Sequence, residues 1–131
     1  MTSRRDFFRN ISGLLGLSVF LSVPIAIAKR MALSLDKVPQ LKKVGGSVVV
    51  AVKGTKVLFI RDGENSVRAL SPICTHEKCT VAYSARQKKI VCSCHNSSFD
   101  LRGTPLGGPA SRPLKAYAAR FDGSRIIIDL K

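Results

Sequence analysis

Two short segments decide the fold and the chemistry of this 131-residue chain. They read Cys-Thr-His-Glu-Lys-Cys at positions 74–79 and Cys-Ser-Cys-His-Asn-Ser-Ser-Phe-Asp at positions 92–100. All four cysteines and both histidines of the chain lie within them. No other part of the sequence concentrates reactive side chains in this way, so we expect the functional site here.

A mixed set of thiols and imidazoles indicates either a transition-metal site or a disulfide framework, because thiolates favour soft or borderline metals and imidazoles suit iron or zinc. Zinc fits poorly, since its paired ligands are usually separated by about two to four residues and the adjacent ligands of Cys-x-Cys-His would be strained around one tetrahedral ion. A framework of disulfides alone leaves both histidines without a role. At this level both alternatives remain open.

The two segments resemble the Rieske family pattern, Cys-Thr-His-x-x-Cys followed by Cys-x-Cys-His-x-Ser. The resemblance implies a [2Fe–2S] cluster with four protein ligands. These ligands would be Cys74 and Cys92 on the inner iron, and His76 and His95 on the outer iron. The resemblance also implies a disulfide between Cys79 and Cys94, which would tie the two segments together.

Residues near the second segment set the expected reduction potential of such a cluster. In the family, a serine and a tyrosine that follow the second histidine donate hydrogen bonds that raise the potential. The serine is Ser97 here, but Phe99 stands at the tyrosine position and has no hydroxyl to donate. The resemblance therefore implies a potential below that of the ubiquinol-linked members, with menaquinol as the favoured donor. Asn96, where the family commonly has glycine, is a second departure.

The stretch from Gly107 to Pro113 resembles the proline loop that covers the cluster in respiratory Rieske proteins. Ser111 interrupts the usual Gly-Pro-Ala-Pro, which is a further departure from the family pattern. Family analogy assigns the contact with quinol chiefly to His95, which makes His95 the candidate catalytic residue.

β-branched and apolar runs separated by short polar or glycine-containing turns predict an all-β fold of antiparallel hairpins. The predicted strands are Ser47–Val52, Lys56–Ile60, Val67–Leu70, Val81–Tyr83, Lys89–Val91, Leu114–Phe121 and Arg125–Leu130. Together with the resemblance, this predicts a Rieske-type antiparallel β-sandwich with two cluster-binding loops, preceded by one N-terminal apolar helix.

The N-terminal region carries a different kind of signal. The stretch from Ser3 to Phe8 resembles the twin-arginine export signal, and an apolar run over 11–28 follows it. An ordinary membrane anchor with flanking positive charge is the alternative. Small residues before Lys29 are compatible with cleavage, but the family favours an uncleaved anchor. The expected division is a signal or anchor at 1–28, a linker at 29–45 and a Rieske [2Fe–2S] domain at 46–131.

The net charge of +14, from 22 basic and 8 acidic residues, favours anionic partners. The basic residues are scattered, without a dense basic helix or interleaved aromatics, so a nucleic-acid partner is not expected. A disulfide would point to an oxidising compartment, in agreement with an export signal. We therefore expect a protein of the bacterial inner membrane with its Rieske domain on the periplasmic side.

These observations predict a one-electron carrier that serves as a subunit of an oxidoreductase complex. The leading hypothesis is the Rieske subunit of a quinol-oxidising bc or b6f-type complex, with a cytochrome b-type subunit as partner and a c-type cytochrome as acceptor. One alternative is the small Rieske subunit of a periplasmic molybdenum oxidase of the arsenite oxidase kind. A third hypothesis is a basic, disulfide-bonded binding module without a cluster.

Overall fold

A computed structural model describes residues 30–131, which form ten strands arranged in two antiparallel sheets. The larger sheet contains β1 (Arg30–Ser34), β2 (Ser47–Val52), β3 (Thr55–Gly63), β4 (Ser66–Leu70), β9 (Ala116–Asp122) and β10 (Arg125–Asp129). The smaller sheet contains β5 (Ala82–Ser84), β6 (Lys89–Cys92), β7 (Ser97–Phe99) and β8 (Pro105–Gly107). The spatial orders are β1-β10-β9-β4-β3-β2 and β5-β6-β7-β8. The predicted all-β antiparallel fold is confirmed.

The predicted hairpins form because their turns match the twist of the strands. β2 and β3 pair from Ser47↔Ile60 to Val52↔Thr55 around Lys53 and Gly54. Both turn residues have positive φ, at 51° and 81°, as a tight two-residue hairpin turn requires. The predicted hairpin around Asp122-Gly123-Ser124 also forms, as the register of β9 and β10 shows.

The prediction of a linker over 29–45 was wrong for the residues that the structure describes. Residues Arg30–Ser34 form β1, which pairs along its whole length with β10. Two 3-10 turns follow, at Leu35–Lys37 and Pro39–Lys42. Pro39 opens the second turn, a position where its missing N–H costs nothing. The segment looked like a linker because it is short, basic and interrupted by proline, and because its partner strand lies almost at the other end of the chain.

Two apolar cores hold the structure together. The first lies where the sheets meet and combines side chains of β3 and β4 with side chains of the smaller sheet and of the loops. Its members include Leu58, Ile60, Leu70, Val81, Ile90, Phe99 and the two cysteines Cys74 and Cys92. The second lies under β1 and the 3-10 turns and includes Val38, Leu41, Phe59, Ile126 and Ile128. The loops that carry the cysteines and histidines therefore pack on the first core.

The predicted N-terminal apolar helix and twin-arginine signal lie outside the described residues. Between Arg30 and Lys131, no helix has the length and apolar character needed to cross a membrane.

Candidate metal centre

Two loops at one end of the smaller sheet carry the cysteines and histidines. The first loop connects β4 to β5, and the second connects β6 to β7. The first is closed at its base by the bridge between Ile73 and Thr80 and by the hydrogen bond from the Cys74 N–H to the Cys79 carbonyl, at 2.8 Å. The second spans only four residues, because Cys92 ends β6 and Ser97 begins β7. The closed base of the first loop and the short length of the second hold the side chains of both loops in fixed positions.

The disulfide between Cys79 and Cys94 joins the two loops, as the resemblance implied. The two Cα atoms are 6.5 Å apart. This cross-link leaves Cys74 and Cys92 as the two unpaired cysteines, and both are buried. The pairing therefore divides the four cysteines into a structural pair and a pair of thiols available as metal ligands.

The surroundings of Cys74 favour its thiolate, the form that binds metal. Burial acts to raise the pKa of this thiol, but hydrogen bonds outweigh it, so the pKa lies below its ordinary value. The donors are the backbone N–H groups of His76 and Glu77 and the side chains of Cys92 and Ser97. Backbone amides directed at a sulfur stabilise negative charge in an apolar site. This arrangement suits a thiolate ligand.

The two histidines lie together at the exposed tip of the loops. The His76 and His95 ring centroids are 4.9 Å apart, with the ring planes at 82°. Glu77 lies beside them, with its carboxylate 3.6 Å from His95 Nδ1. One potential ligand atom from each of these three residues falls within 4.8 Å of the others. The sequence did not single out Glu77, because a lone glutamate inside a motif carries no signal of its own.

The donors fit a [2Fe–2S] cluster with mixed ligation. Two buried thiols and two exposed imidazoles, supplied by two loops that a disulfide holds together, form the asymmetric donor set that a Rieske cluster requires. A single zinc ion would leave the division into a buried thiol pair and a surface imidazole pair unexplained.

Ser97 lies beneath the site and is completely buried. Its hydroxyl acts on Cys74 as a hydrogen-bond donor and accepts a bond from the Ala110 N–H at 3.1 Å. No buried side-chain nitrogen or oxygen between residues 30 and 131 lacks a partner. Ser97 therefore links the thiol pair to the loop over 107–113.

The two departures from the family pattern occupy well-defined positions. Phe99 is fully buried in the same core as Cys74 and Cys92. Asn96 has a φ of 59°, in the left-handed region where asparagine is tolerated better than most residues other than glycine. Asparagine is therefore a compatible substitute at this backbone position.

The stretch over 107–113, which we name the cover loop, contacts both cysteine-bearing loops. Ala110 reaches the second loop through Ser97, and Arg112 reaches the first through Thr75. The sequence offered no reason to select Thr75 or Arg112, because their interaction joins residues 37 positions apart and involves backbone carbonyls.

Comparisons with known proteins agree with this geometry. The family model described as "Rieske [2Fe-2S] domain" matches residues 32–118. The cytochrome b6-f complex iron-sulfur subunit of Chlorobaculum thiosulfatiphilum is 29% identical, over 95% of this chain and 74% of that protein.

Two solved structures have a similar fold. The plasma membrane Rieske protein of Synechocystis PCC 6803 has a TM-score of 0.61 and 26% identity, over 75% of this chain and 97% of that one. The ferredoxin of carbazole 1,9a-dioxygenase from Nocardioides aromaticivorans has a TM-score of 0.62 and 32% identity, over 84% of this chain and 100% of that one. The family match and the two-loop site agree, and the chain belongs to the Rieske [2Fe-2S] domain family.

Proposed function

We propose that this protein carries single electrons as the Rieske subunit of a membrane complex that oxidises quinol. The observation that carries the proposal is the pair of disulfide-linked loops, which present two buried thiols and two adjacent surface histidines. The similarity to a cytochrome b6-f complex iron-sulfur subunit over 95% of the chain supports assignment to a complex of this type. The hypothesis of a molybdenum-oxidase subunit is not favoured by these comparisons.

In this proposal, Cys74 and Cys92 hold the inner iron, and His76 and His95 hold the outer iron. When bound, the cluster accepts and releases one electron, and its two neutral imidazole ligands give it a higher potential than a cluster with four thiolates. Both cysteines are buried in the core, and Ser97 and backbone amides direct hydrogen bonds at the Cys74 sulfur.

The histidines would form the contact with quinol, because they are the ligands that reach the surface. The His95 side chain is 44% exposed, so an imidazole nitrogen is accessible to a quinol hydroxyl. A hydrogen bond to that nitrogen would orient the quinol, and the nitrogen would then accept the proton of the quinol hydroxyl. His95 is the candidate catalytic residue for this reason.

The disulfide favours an extracytoplasmic site of action over a cytosolic one, because disulfides are rarely retained in the reducing cytosol. This distinguishes the proposal from that of a soluble oxygenase ferredoxin, although one such ferredoxin has a similar fold. We propose a location on the periplasmic side of a bacterial inner membrane, with attachment through residues 1–28. The partners would be a cytochrome b-type subunit, menaquinol as donor and a c-type cytochrome as acceptor.

Electron paramagnetic resonance of the reduced full-length protein tests the cluster assignment. We expect the low average g value of a mixed cysteine–histidine cluster, which should be lost in the Cys74→Ser and Cys92→Ser variants. Lys78→Ala, in the same loop but outside the donor set, should retain the spectrum. A spectrum of four-thiolate type, or a colourless wild-type protein, would exclude the assignment.

Quinol oxidation by membranes tests the assignment to a complex. Membranes from a strain that lacks this protein should lose menaquinol-dependent reduction of cytochrome c, and the wild-type chain should restore it. His95→Ala should not restore it. Undiminished activity in the deleted strain would show that the protein serves a different complex.

A further inference from the structure

The cover loop is fixed at one side by close packing against the second cysteine-bearing loop. The Ala110 N–H donates to the buried Ser97 hydroxyl at 3.1 Å. Gly108, with φ at 83°, lies so close to the backbone of that loop that a Cβ atom there would stand 2.6 Å from Ser97 Cα. This side of the cover loop therefore has little freedom to move.

The other side is held by a reciprocal pair of hydrogen bonds between Thr75 and Arg112. The Thr75 hydroxyl donates to the Arg112 carbonyl at 2.6 Å, and Arg112 Nη2 donates to the Thr75 carbonyl at 3.0 Å. Thr75 lies between Cys74 and His76, one proposed ligand of each iron. The pair therefore attaches the cover loop at the centre of the first loop.

The arginine adds a side-chain donor to a loop that contains two prolines. Pro109 and Pro113 have no N–H group, and the Ala110 N–H is already committed to Ser97. A guanidinium has five N–H donors and a long reach, so it supplies the bond that the backbone does not. Because it is positively charged, its bond to a carbonyl is stronger than one between neutral groups.

We propose that Arg112 is a positioning residue that clamps the cover loop onto the first loop and so keeps Ala110 packed in the core with Cys74 and Cys92. The side chain is exposed, so its removal should not unfold the domain. Its loss should instead increase local opening of the cover loop, which is a separate equilibrium from global unfolding. Any effect of the clamp on a bound cluster rests on the proposed function, but the attachment of the cover loop to the first loop does not.

Hydrogen–deuterium exchange of the full-length protein, analysed by mass spectrometry, tests this clamp. The Ala110 N–H reports on opening because it is bonded across to Ser97. In Arg112→Ala we expect peptides that span 105–115 to exchange about fivefold to tenfold faster, while peptides from β3 and β10 exchange as in the wild type. Arg112→Lys retains the charge and a donor group but not the planar fork of the guanidinium, so it should restore part of the protection.

Two further variants make the test specific. Arg102→Ala removes an exposed positive charge from the turn after β7 and should leave exchange in the cover loop unchanged. Thr75→Val removes the hydroxyl partner with little change of shape and should open the cover loop as Arg112→Ala does.

The proposal is overturned if cover-loop exchange in Arg112→Ala matches that of the wild type. It is equally overturned if β3 and β10 accelerate as much as the cover loop, since Arg112 would then support the whole fold. A protein without a Rieske spectrum would refute the proposed function, but the exchange measurement would still decide on the clamp.

Discussion

Single residues set the properties of the proposed cluster, and Phe99 is the most informative of them. Its ring is completely buried in the core that contains Cys74 and Cys92. A tyrosine hydroxyl at this position would need a partner, and the proposed cluster sulfurs are the acceptors that the family uses. Phe99→Tyr therefore tests both this departure from the family pattern and the placement of the cluster.

We expect Phe99→Tyr to raise the midpoint potential. One additional hydrogen bond that is stronger in the reduced state, worth about 1 kcal/mol, corresponds to roughly 40 mV for a one-electron couple. A redox titration of the purified protein measures the shift. Phe59→Tyr is the control, because Phe59 is equally buried but lies in the other core. A potential that is unchanged or lowered in Phe99→Tyr would contradict the assigned role of this position.

Asp62 illustrates how a residue far from the site makes stability depend on pH. Burial acts to raise the pKa of this carboxyl, but hydrogen bonds from Ser66 and Arg68, and the positive charge of Arg68, outweigh it. The pKa is therefore lowered. The distances are 2.5 Å from the Ser66 hydroxyl and 2.9 Å from Arg68 Nε, and the Asp62 side chain is only 13% exposed.

A lowered pKa in the folded state means that the ionised carboxylate stabilises the fold. This contribution is complete above the unfolded-state pKa of about 3.9, and it is lost as the pH falls through the lower pKa of the folded state. We expect Asp62→Asn to reduce the free energy of unfolding by about 1 kcal/mol at pH 7. The deficit should shrink below about pH 4.

Denaturant titrations at several pH values measure this dependence. Asp36→Asn is a suitable control, since Asp36 pairs with Lys42 but its side chain is 86% exposed. Exposed pairs of this kind contribute little to stability. A deficit for Asp62→Asn that stays constant from pH 7 to pH 3 would show that the charge of Asp62 has no part in it.

Among the elements of the structure, the cover loop depends on close backbone contact at Gly108. Gly108 and Gly123 both have positive φ, at 83° and 66°. A Cβ atom at Gly108 would collide with Ser97 Cα and the Asn96 carbonyl, whereas a Cβ atom at Gly123 would meet nothing within 4 Å. An alanine would be strained by the left-handed backbone at both positions, but only at Gly108 would its Cβ atom also collide with neighbouring backbone.

We expect Gly123→Ala to cost about 1–2 kcal/mol, the usual penalty for a left-handed alanine. Gly108→Ala should cost more, and it should also displace the cover loop from Ser97. Thermal unfolding measures the first effect, and the rate at which a chelator removes iron from the purified protein measures the second. Equal unfolding temperatures and equal rates of iron loss in the two variants would show that the contact at Gly108 is unimportant.

At the level of elements, the sequence predicted strands that a local run of residues marks, and it missed contacts between distant parts of the chain. The Ser47–Val52 strand was predicted with the bounds that the structure gives it, because its β-branched run ends at an unmistakable turn. β7 and β8 were missed, because the three residues of each, Ser-Ser-Phe and Pro-Leu-Gly, contain no β-branched or apolar run. The cysteine and histidine positions followed from the motif, whereas the link between Thr75 and Arg112 depends on how the chain folds back over 37 residues.

For the molecule as a whole, the main correction concerns where the packed domain begins. Leu41 is completely buried and Val38 is 3% exposed, in the core that also contains Ile126 and Ile128. Arg61 Nη1 donates to the carbonyls of Leu41 and Lys42, at 3.1 Å each. The segment over 30–42 is therefore part of the packed domain.

Leu41→Ala in the full-length protein distinguishes a packed segment from a linker. Truncation of a leucine that is fully buried removes apolar contact and leaves a cavity, so we expect a loss of about 2–5 kcal/mol in the free energy of unfolding. Val44→Ala, three residues away at a side chain that is 50% exposed, should be nearly neutral. Denaturant unfolding followed by circular dichroism measures both.

A packed segment and a linker differ in what they predict for Leu41→Ala. If residues 29–45 were a linker, neither substitution would change the stability. A small domain is stabilised by only about 5–15 kcal/mol in total, so a loss of the expected size would be a large fraction of it.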